Sequence, residues 1–430
     1  MPAGSSAAPA GSAREPHPDD RTPGPPTTVS RPARRSEDQV RRERLRAQLL
    51  TGRRPRRVEQ VVTALGGLQA QDSAAARLAL RPRSSGLVEA DVRRACNQER
   101  SVVRTWAMRG TLHLVAAADA GWLVGLLGPV FLAAGRRRRL QLGLDDDRCR
   151  RALAALPAVL AGGPLSRAEL VRGLAAEGVR IDPDGQAPAH LVAYAAMSGL
   201  ICRGPDLDGD EPGYVLLEDW VGRGGPGDRR GGPEDRRSGR PVDRSGPPVD
   251  RGGPGDRGPE DALGELARRY LAGHGPAAPE DLAAWSGLPA GRARRAFELV
   301  AGELREIELA GRRLWAAAGA PAARAPSGPP VVRLLGRFDD YLLGWRGRDL
   351  VLDPRHARRI QAGGGWIHPA VVVDGRVAGT WRARRAGGRL AVTVEPFGRL
   401  PAGTRPGLEA EAVDLGRFLG VETSLGVDRG

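Results

Sequence analysis

The stretch PLSRAELVRGLAAEGVRIDPDGQAPAHLVAYAAMSGLICRGPDLDGDEPGYVLL, residues 164–217, decides the predicted fold. Ser166, with Glu169 three residues later, forms a capping box, which predicts a helix that begins there. Residues 187–201 have the apolar spacing of an amphipathic helix, and the residues after them alternate like two strands around a Gly/Asp turn. The segment RCRRALAALPAVLAG in front is also helical in its spacing. The resulting order of helix, helix, helix and hairpin predicts a helix-turn-helix unit with a wing over residues 150–221.

The same order of elements is predicted downstream, over residues 261–320. Helical spacing is found in three successive strings, ALGELARRYLAGHG, APEDLAAWSGL and PAGRARRAFELVAGEL. The string after them, REIELAGRRLWAA, contains an Ala-Gly turn between two short strands. The third of these helices carries Arg292, Arg294 and Arg295. Because the third helix of a winged-helix unit usually faces DNA, we predict DNA contacts by Arg292 and Arg295. The alternative is a solvated arginine face.

A less regular unit is predicted over residues 37–149. Helical spacing extends from Glu37 to Leu50, from Val58 to Leu68 and through LVEADVRRACNQ, and SVVRTWAMRGTLHLVA alternates like a hairpin. We interpret this segment as a first winged-helix unit.

The C-terminal segment, residues 325–430, has a different pattern. VVRLLGRFDDYLLGWRGRDLVLD, AVVVDGRVAGTWRAR and GRLAVTVEPFG resemble successive strands with Asp-Gly or Gly-Gly turns, and a helix is predicted near 408–419. This pattern indicates a small β-sheet or barrel. The predicted fold class is therefore α+β, with tandem winged-helix units followed by a small C-terminal β-barrel.

Two segments lack the large apolar residues that would offset the entropy of ordering. Residues 1–36 are rich in Ala, Pro, Gly and Ser, and residues 222–260 repeat blocks such as GGPGDRRGGPEDRR. We predict a disordered tail and a flexible linker.

The chain carries a formal net charge of +15, which favours a polyanionic partner such as DNA. All the basic side chains are arginine, so a GC-rich genome is an alternative source of part of this charge. The absence of lysine excludes a lysine Schiff base with a sugar aldehyde, and with it lyase chemistry by that route.

Three widely separated cysteines, Cys96, Cys149 and Cys202, lack the spacing of zinc sites or disulfide frameworks. The sequence shows neither a signal peptide nor an apolar run of ~18 residues that would span a membrane. We therefore expect a cytoplasmic protein. The six histidines are scattered, so we expect no metal and no cofactor, and the internal repetition of units predicts a monomer.

The candidate chemistry lies in LGGLQAQDS, residues 65–73. The sequence contains no GxxxxGK, GxSxG or HExxH motif. Two residues at i and i+2 share one side of an extended chain but point about 200° apart on a helix, so Gln69 and Gln71 converge only if the helix ends before them. Gly66 and Gly67 upstream, with Asp72 and Ser73 as cap candidates downstream, predict such a break. The alternative is two polar residues that cap a helix end.

QAQ resembles the glutamine-hydrophobic-glutamine motif of the AlkZ-type DNA glycosylases. The strings RGTLHLV, LLGRFDDYLLGWRGR, GGGWIHP and VDGRVAGTWR are also similar to blocks of that family, and together they cover about 37–400. The resemblance implies three tandem winged-helix units that form a C-shaped DNA channel, with a C-terminal β-barrel. It also implies a monofunctional glycosylase that excises N7-alkylated purines, including bulky adducts or interstrand crosslinks, from double-stranded DNA, with Gln69 and Gln71 as the catalytic residues.

A neutral amide is not a useful general base, but its carbonyl oxygen can orient a water molecule. A purine alkylated at N7 is already cationic and leaves readily, so the enzyme need not protonate it strongly. Positioning water against an oxocarbenium-like sugar is a task within reach of two glutamines.

Further DNA contacts are predicted from three short strings. In RGTLHLV, strand alternation places Arg109 and His113 on one face, near phosphate. YLLGWRGRDLVL is predicted to form a turn suited to the minor groove, and GGGWIHP to approach the same channel. The predicted residues of these last two strings are Trp345, Arg346, Arg348, Trp366 and His368.

Alternatives remain for these residues and for the protein. The structural alternatives are that Arg109 forms a structural ion pair, that His113 is a satisfied half-buried residue, and that both tryptophans belong to the barrel core. The functional alternatives are a non-catalytic winged-helix regulator that binds DNA and an adaptor that binds RNA or protein.

Overall fold

The computed structural model describes residues 32–222, 257–323 and 328–428, which form a mixed α+β fold with several small sheets. The predicted disordered segments therefore lie mostly outside the described residues. Their inner ends are ordered: Ala33–Arg34 is a short strand, and a helix already begins at Pro259.

The N-terminal region contains the first predicted unit. Its helices and strands, in chain order, are β1 Ala33–Arg34, α1 Glu37–Ala47, α2 Val58–Leu65, β2 Leu68–Gln69, α3 Ser73–Leu80, α4 Glu89–Asn97, β3 Val102–Trp106, β4 Leu112–Ala116, α5 Ala117–Ala134 and α6 Arg136–Gln141. The predicted hairpin is the β3–β4 pair. Helix α1 begins at a capping box, in which the Ser36 hydroxyl accepts from the Gln39 amide and the Gln39 side chain accepts from the Ser36 amide.

The second region has the predicted order of three helices and a hairpin. Its elements are α7 Asp146–Val159, α8 Arg167–Ala176, α9 Ala187–Met197, β5 Ile201–Asp206, β6 Pro212–Leu216 and α10 Leu217–Val221. The capping box of Ser166 and Glu169 is present at the start of α8. Its hairpin does not stand alone, because Arg104 of β3 pairs with Arg203 of β5 and the two regions share a five-stranded sheet of order β2-β4-β3-β5-β6.

The third region also has three helices and a hairpin. Its elements are α11 Pro259–His274, α12 Pro279–Ser286, α13 Ala290–Leu299, β7 Leu304–Leu309 and β8 Arg312–Ala317. The predicted Ala-Gly turn joins the two strands, with Ala310 and Gly311 both at positive φ. Strand β1 pairs in parallel with β7, which ties the N-terminus of the described chain to this region.

The C-terminal region is an open sheet, so the prediction of a barrel is wrong for the described strands. Its elements are β9 Val332–Leu335, α14 Asp340–Leu343, α15 Ala357–Ile360, β10 Gln361–Gly363, β11 Trp366–Ile367, β12 Ala370–Val373, β13 Arg376–Ala386, β14 Arg389–Pro396, α16 Thr404–Leu419 and β15 Thr423–Val427. The five-stranded sheet has the order β15-β14-β13-β12-β9, and β15 and β9 stay at opposite edges. Helix α16 packs its buried Leu408 and Leu415 into the same apolar cluster as sheet residues such as Val332 and Val392, so a helix covers the apolar face that closure into a barrel would otherwise bury.

Helix α5 corrects another expectation, because its 18 residues have the length and apolar composition of a membrane span. In the structure it belongs to the protein core: Trp122, Leu123 and Leu127 are buried in the cluster that also contains residues of α11. The Asp119 carboxylate accepts a hydrogen bond from Trp122 Nε1 at 3.0 Å and lies 3.4 Å from Arg269 Nη2 of α11. The charge inside this apolar helix is therefore partnered.

A buried ion pair joins the N-terminal and C-terminal regions. Arg83, in a 3-10 helix after α3, donates from Nη2 and Nη1 to the two carboxylate oxygens of Asp339 at 2.6 and 2.8 Å. Both side chains are fully buried. Gln48, at the end of α1, accepts from Arg83 Nη2 and donates to the Gly273 carbonyl, so the third region joins the same network. This network fixes the position of Asp339 and, with it, that of the next residue in the chain, Asp340.

Candidate active site

The QAQ segment is extended, as the spacing of its glutamines requires. Helix α2 ends at Gly66, which has a φ of 71°, and Gln69 pairs with His113 in β4. Gly67 has a φ of 128°, a backbone conformation that residues with a Cβ atom rarely adopt, so this position favours glycine. Asp72 then caps α3 by accepting from the Ala75 amide at 2.9 Å. The predicted break of the helix is confirmed.

Gln69 and Gln71 line one open pocket of about 1090 Å³. The rest of its wall comes from the start of α3, the β3–β4 and β5–β6 turns, residues before, in and after α14, and the β10–β11 hairpin. These lining residues include Asp72, Ser73, Arg109, Thr111, Asp210, Phe338, Leu343, Arg348, Gln361 and Trp366. Three parts of the chain that are far apart in sequence therefore meet at the QAQ motif.

Hydrogen bonds fix the amide of Gln69 in one orientation. Its Oε1 atom accepts from Arg109 Nη2 at 2.6 Å, and the Thr111 hydroxyl, which also donates to the Met108 carbonyl at 3.1 Å, lies 3.5 Å from the same oxygen. A guanidinium has only donors, so the amide oxygen, and not the amide nitrogen, must face Arg109. The Nε2 atom of Gln69 donates to no residue in the described part of the chain.

Arg109 is held from several sides and lies against the pocket. It donates from Nη1 to the Trp285 carbonyl at the end of α12, and its backbone has a φ of 57°. Its Nη2 atom lies 3.4 Å from His113 Nε2. Burial lowers the pKa of this guanidinium from its usual range, and the nearby Asp340 carboxyl opposes that shift.

His113 is an internal residue with satisfied hydrogen bonds, as the structural alternative predicted, but it is fully buried and not half-buried. Its Nδ1 atom lies 2.9 Å from the Thr111 carbonyl, which can only accept, so Nδ1 carries the proton and Nε2 accepts from Arg109. Burial, helped by the charge of Arg109, lowers the pKa of His113 to about 3. A neutral histidine behind Arg109 supports the arginine, and in this position its ring does not reach the surface where phosphate would lie.

Asp340, which the sequence analysis missed, holds the main chain of the motif. Its Oδ2 atom accepts from the Gln69 amide at 3.2 Å, and its buried Oδ1 atom has no hydrogen-bond partner among the described residues. Burial raises the pKa of Asp340 to about 7, although Arg83 and Arg109 act in the opposite direction. The only sequence signal is an acid pair inside the apolar string RFDDYLLGW.

The hairpin beside the pocket is formed by GGGWIHP and not by YLLGWRGR. Strands β10 and β11 form a two-stranded hairpin, in which the glycines of the turn, Gly363, Gly364 and Gly365, all have positive φ. Trp366 on this hairpin is 49% exposed and packs on Phe338 with ring centroids 5.2 Å apart. His368 follows as an exposed residue.

The predicted turn at YLLGWRGR is helix α14 followed by irregular chain, and Trp345 in it is buried at 4% exposure. Its indole nitrogen donates to the His274 carbonyl at 3.0 Å, so this tryptophan is a core residue. Arg346 is exposed, and Arg348 lines the pocket while donating to the Leu342 carbonyl.

The two arginines predicted on α13 are not among the residues that line the pocket. Arg295 is paired with Glu260 at 2.7 Å and with Glu298 at 3.5 Å, which is the solvated arginine face left open as an alternative. Arg292 forms no ion pair among the described residues. These two residues therefore stay predictions.

The described residues contain no group of three or more His, Cys, Asp or Glu side chains that could hold a metal ion. Cys96, Cys149 and Cys202 are free thiols, the last two buried. The side chains that line the pocket offer amides, hydroxyls, carboxylates, guanidinium groups and aromatic rings.

Comparisons with known proteins identify the family of this chain. A sequence model described as "DNA glycosylase AlkZ-like" matches residues 62–418. The chain is 29% identical over 391 residues to the "Interstrand DNA cross-link repair glycosylase" of Streptomyces sahachiroi, which covers 88% of this chain and 95% of the relative. The solved structure of the Streptomyces sahachiroi DNA glycosylase AlkZ superposes with a TM-score of 0.72 at 27% identity and covers 92% of this chain and 100% of that one. The chain belongs to the AlkZ-like family of DNA glycosylases, enzymes that hydrolyse N-glycosidic bonds.

Proposed function

We propose that this glycosylase excises N7-alkylated purines from double-stranded DNA, including purines in bulky adducts or interstrand crosslinks, with Gln69 and Gln71 positioning the attacking water. One observation carries the proposal: the extended QAQ segment presents both glutamines to the same open pocket. The name of the Streptomyces sahachiroi relative supports crosslinked DNA as a substrate.

The proposed reaction is a hydrolysis without lysine. Water adds to C1′ of the sugar, the bond from C1′ to N9 breaks with its electron pair moving onto the purine, and the water gives up a proton to solvent. The N7-alkylated purine is cationic before the step and leaves neutral, so no strong acid is required. Amide dipoles favour the oxocarbenium-like state and the oriented water.

The shape of the pocket supports substrates larger than one methylated base. Ligand pockets of about 300–1000 Å³ hold whole drug-sized molecules, and this pocket is an open one of about 1090 Å³. Full extrusion of a base into a snug enclosed site is therefore not required. We propose that the lesion reaches QAQ while the adduct remains partly in the open pocket.

The DNA itself is proposed to lie along winged-helix units. The order of three helices and a hairpin occurs twice in the described chain, and the net charge of +15 favours a polyanion. Arg346, Arg348, Trp366 and His368 are proposed to contact DNA near the pocket. We further propose that a single chain acts on intracellular DNA.

The first test is release of free 7-methylguanine from a methylated duplex by the wild-type protein and by Gln71→Ala, at matched DNA occupancy. We expect the variant to lose at least about 100-fold in the rate of release, which is in the range of one positioned catalytic hydrogen bond. Gln60→Ala is the matched control, because Gln60 is an exposed glutamine on α2 outside this pocket.

The wild-type result also separates the proposal from its alternative. If no alkylated duplex, including one with a bulky or crosslinked adduct, yields free base, the substrate assignment is wrong. Tight preference for one unmodified sequence would then favour the regulator, which the repeated order of helices and hairpin also suits.

A second prediction concerns the exposed ring of the hairpin. Trp366→Ala should lower kcat/KM by about 10-fold, because stacking of an aromatic side chain on a base or adduct contributes ~1–3 kcal/mol. Trp366→Phe keeps a ring against Phe338 and should retain most of the activity. Kinetics with one bulky and one methylated duplex measure both variants. Equal activity of Trp366→Ala and the wild type on both duplexes would show that the Trp366 ring does not contact the substrate.

A further inference from the structure

We infer that the two glutamines have opposite roles: Gln69 is fixed by Arg109 as a hydrogen-bond donor to DNA, and Gln71 is the acceptor that holds the water. This inference rests on the proposed function and deepens it, because two glutamines that merely position water would be equivalent.

The donor role of Gln69 follows from the groups around its amide oxygen. Arg109 and Thr111 both approach Oε1, at 2.6 and 3.5 Å. A rotation of the amide by 180° would place its NH₂ group against the guanidinium of Arg109. Donors would then face donors, and the guanidinium would lose the Gln69 oxygen as an acceptor. The carbonyl of Gln69 is therefore already occupied, and the two N–H groups on Nε2 are the part left to a ligand in the pocket.

Arg109 cannot easily release this amide. Its guanidinium also donates to the Trp285 carbonyl and faces the unprotonated Nε2 atom of His113. All three partners are acceptors, and the His113 tautomer is set in turn by the Thr111 carbonyl. Charge-assisted hydrogen bonds are roughly twice as strong as neutral ones, so this arrangement holds one orientation. Arg109 acts through Gln69, and it is therefore a positioning residue.

The main chain of Gln69 is fixed as firmly as its side chain. Its amide donates to the buried Asp340 carboxyl at 3.2 Å, and Ala70 donates to the Leu112 carbonyl at 2.8 Å. The motif is thus held to β4 on one side and to the start of α14 on the other. Fixed donors that need no reorganisation are the kind of group that binds a substrate oxygen most effectively.

Gln71 is in the opposite situation. It is exposed, and its side chain makes no hydrogen bond to any residue that the structure describes. Both its carbonyl and its NH₂ group are free of partners among the described residues, and because Arg109 occupies the carbonyl of Gln69, the carbonyl of Gln71 is the one left to accept from a water molecule. The oxygens that DNA offers near a lesion are mostly phosphate and sugar acceptors, which suit the N–H groups of Gln69. The two residues together can hold a nucleotide and orient a water.

Glutamate at each position distinguishes the roles, because it is isosteric with glutamine but only accepts when ionised. In Gln69→Glu one oxygen pairs with Arg109, and the other replaces the NH₂ group and repels phosphate. We expect release of 7-methylguanine to fall at least about 100-fold, with a higher KM. In Gln71→Glu the acceptor for water is kept, so the rate of release at saturating DNA should fall less than in Gln69→Glu, by no more than about 10-fold.

The control is Gln60→Glu, which adds the same charge at an exposed glutamine outside the pocket and should leave KM within about 2-fold. Thermal unfolding of each variant checks that the fold is intact. If Gln71→Glu loses as much activity as Gln69→Glu, or if Gln69→Glu stays active, the division of roles is wrong. A wild-type protein that releases no base instead contradicts the proposed function, so the two failures are distinct.

A double-mutant cycle tests the positioning role of Arg109. Arg109→Leu should raise KM in the same direction as Gln69→Glu, and the effects of the two changes should not add, since both act through one amide. Additive effects on KM would show that Arg109 acts independently of Gln69. If Arg109→Leu does not fold, the comparison of the two glutamate variants alone decides the inference.

Discussion

Asp339→Asn will lower the free energy of unfolding by about 3–5 kcal/mol at pH 7, the range for breaking one side of a buried ion pair. The Arg83 guanidinium donates to both oxygens of Asp339, at 2.6 and 2.8 Å, and neither side chain reaches solvent. Asparagine keeps one acceptor oxygen but removes the charge that pairs directly with the buried guanidinium of Arg83. The substitution also puts an NH₂ group where one donor of Arg83 now points. Urea unfolding measures the loss.

The matched control is Asp353→Asn, at an ion pair with the same chemistry on the surface. Asp353 caps a short 3-10 helix as Asp339 caps α14, and Arg355 pairs with it at 2.6 Å. Arg355 is 81% exposed, and exposed ion pairs contribute little because water and salt screen them. We expect little change in stability there. A loss as small at Asp339 would mean that solvent reaches Arg83 and that burial does not set the cost.

The parts of the fold that sequence predicts well are those set by neighbours in the chain. The Ser166 and Glu169 capping box and the Ala310-Gly311 turn are local hydrogen-bonding and backbone devices, and each is present where expected. The break at Gly66 belongs to the same class, because a left-handed residue ends a helix whatever packs around it. The extended QAQ segment was therefore predictable before any tertiary contact was known.

Contacts between distant residues decide the rest. The carboxyl that accepts from the Gln69 amide belongs to Asp340, 271 residues away along the chain, and no local sequence pattern predicts this contact. The same limit explains the barrel: alternating strands predict a sheet, but whether its edges join or a helix such as α16 covers its face depends on packing.

Two tryptophans show the limit for the site itself. Trp345 and Trp366 both follow a glycine, the first in the arginine-containing string GWRGR and the second in the glycine-rich string GGGWIHP. One is buried against His274, and the other is half exposed on a hairpin beside the pocket. Burial of an aromatic ring is a property of its neighbours in space, so the sequence indicates candidates for groove contact without choosing between them.

Asp340→Asn, one residue further along the chain, will have the opposite effect to Asp339→Asn at pH 8. Burial raises the pKa of Asp340 from the ordinary 3.8 of an aspartate to about 7, since its charge is buried with no guanidinium at hydrogen-bonding distance in the described residues. Between these two pH values the folded protein binds more protons at this site than the unfolded chain, so the free energy of unfolding falls as pH rises. At about 1.36 kcal/mol per pKa unit, the ionised carboxylate costs on the order of 4 kcal/mol above pH 7.

The variant should therefore match the wild type near pH 4 and exceed it by a few kcal/mol at pH 8. Urea unfolding of both proteins across this range measures the difference. The subtraction is needed because His113 and His274, whose pKa values are lowered to about 3 by burial, make both proteins less stable as pH falls below 6.5. Those histidines are common to the two proteins, and so their contribution cancels. A difference that does not change between pH 4 and 8 would place the titration of Asp340 outside this range.

The same variant separates the two uses of Asp340. Asparagine keeps an oxygen that can accept from the Gln69 amide, so the QAQ segment should stay in place and the rate of base release at pH 8 should be largely retained. Asp340→Ala removes the acceptor and leaves that amide unpaired beside the pocket, which should reduce release as well as stability. If asparagine instead lowers activity while it raises stability, the negative charge of Asp340 itself serves the reaction. An ionised carboxylate that costs stability would then stabilise the positive charge that develops on the sugar.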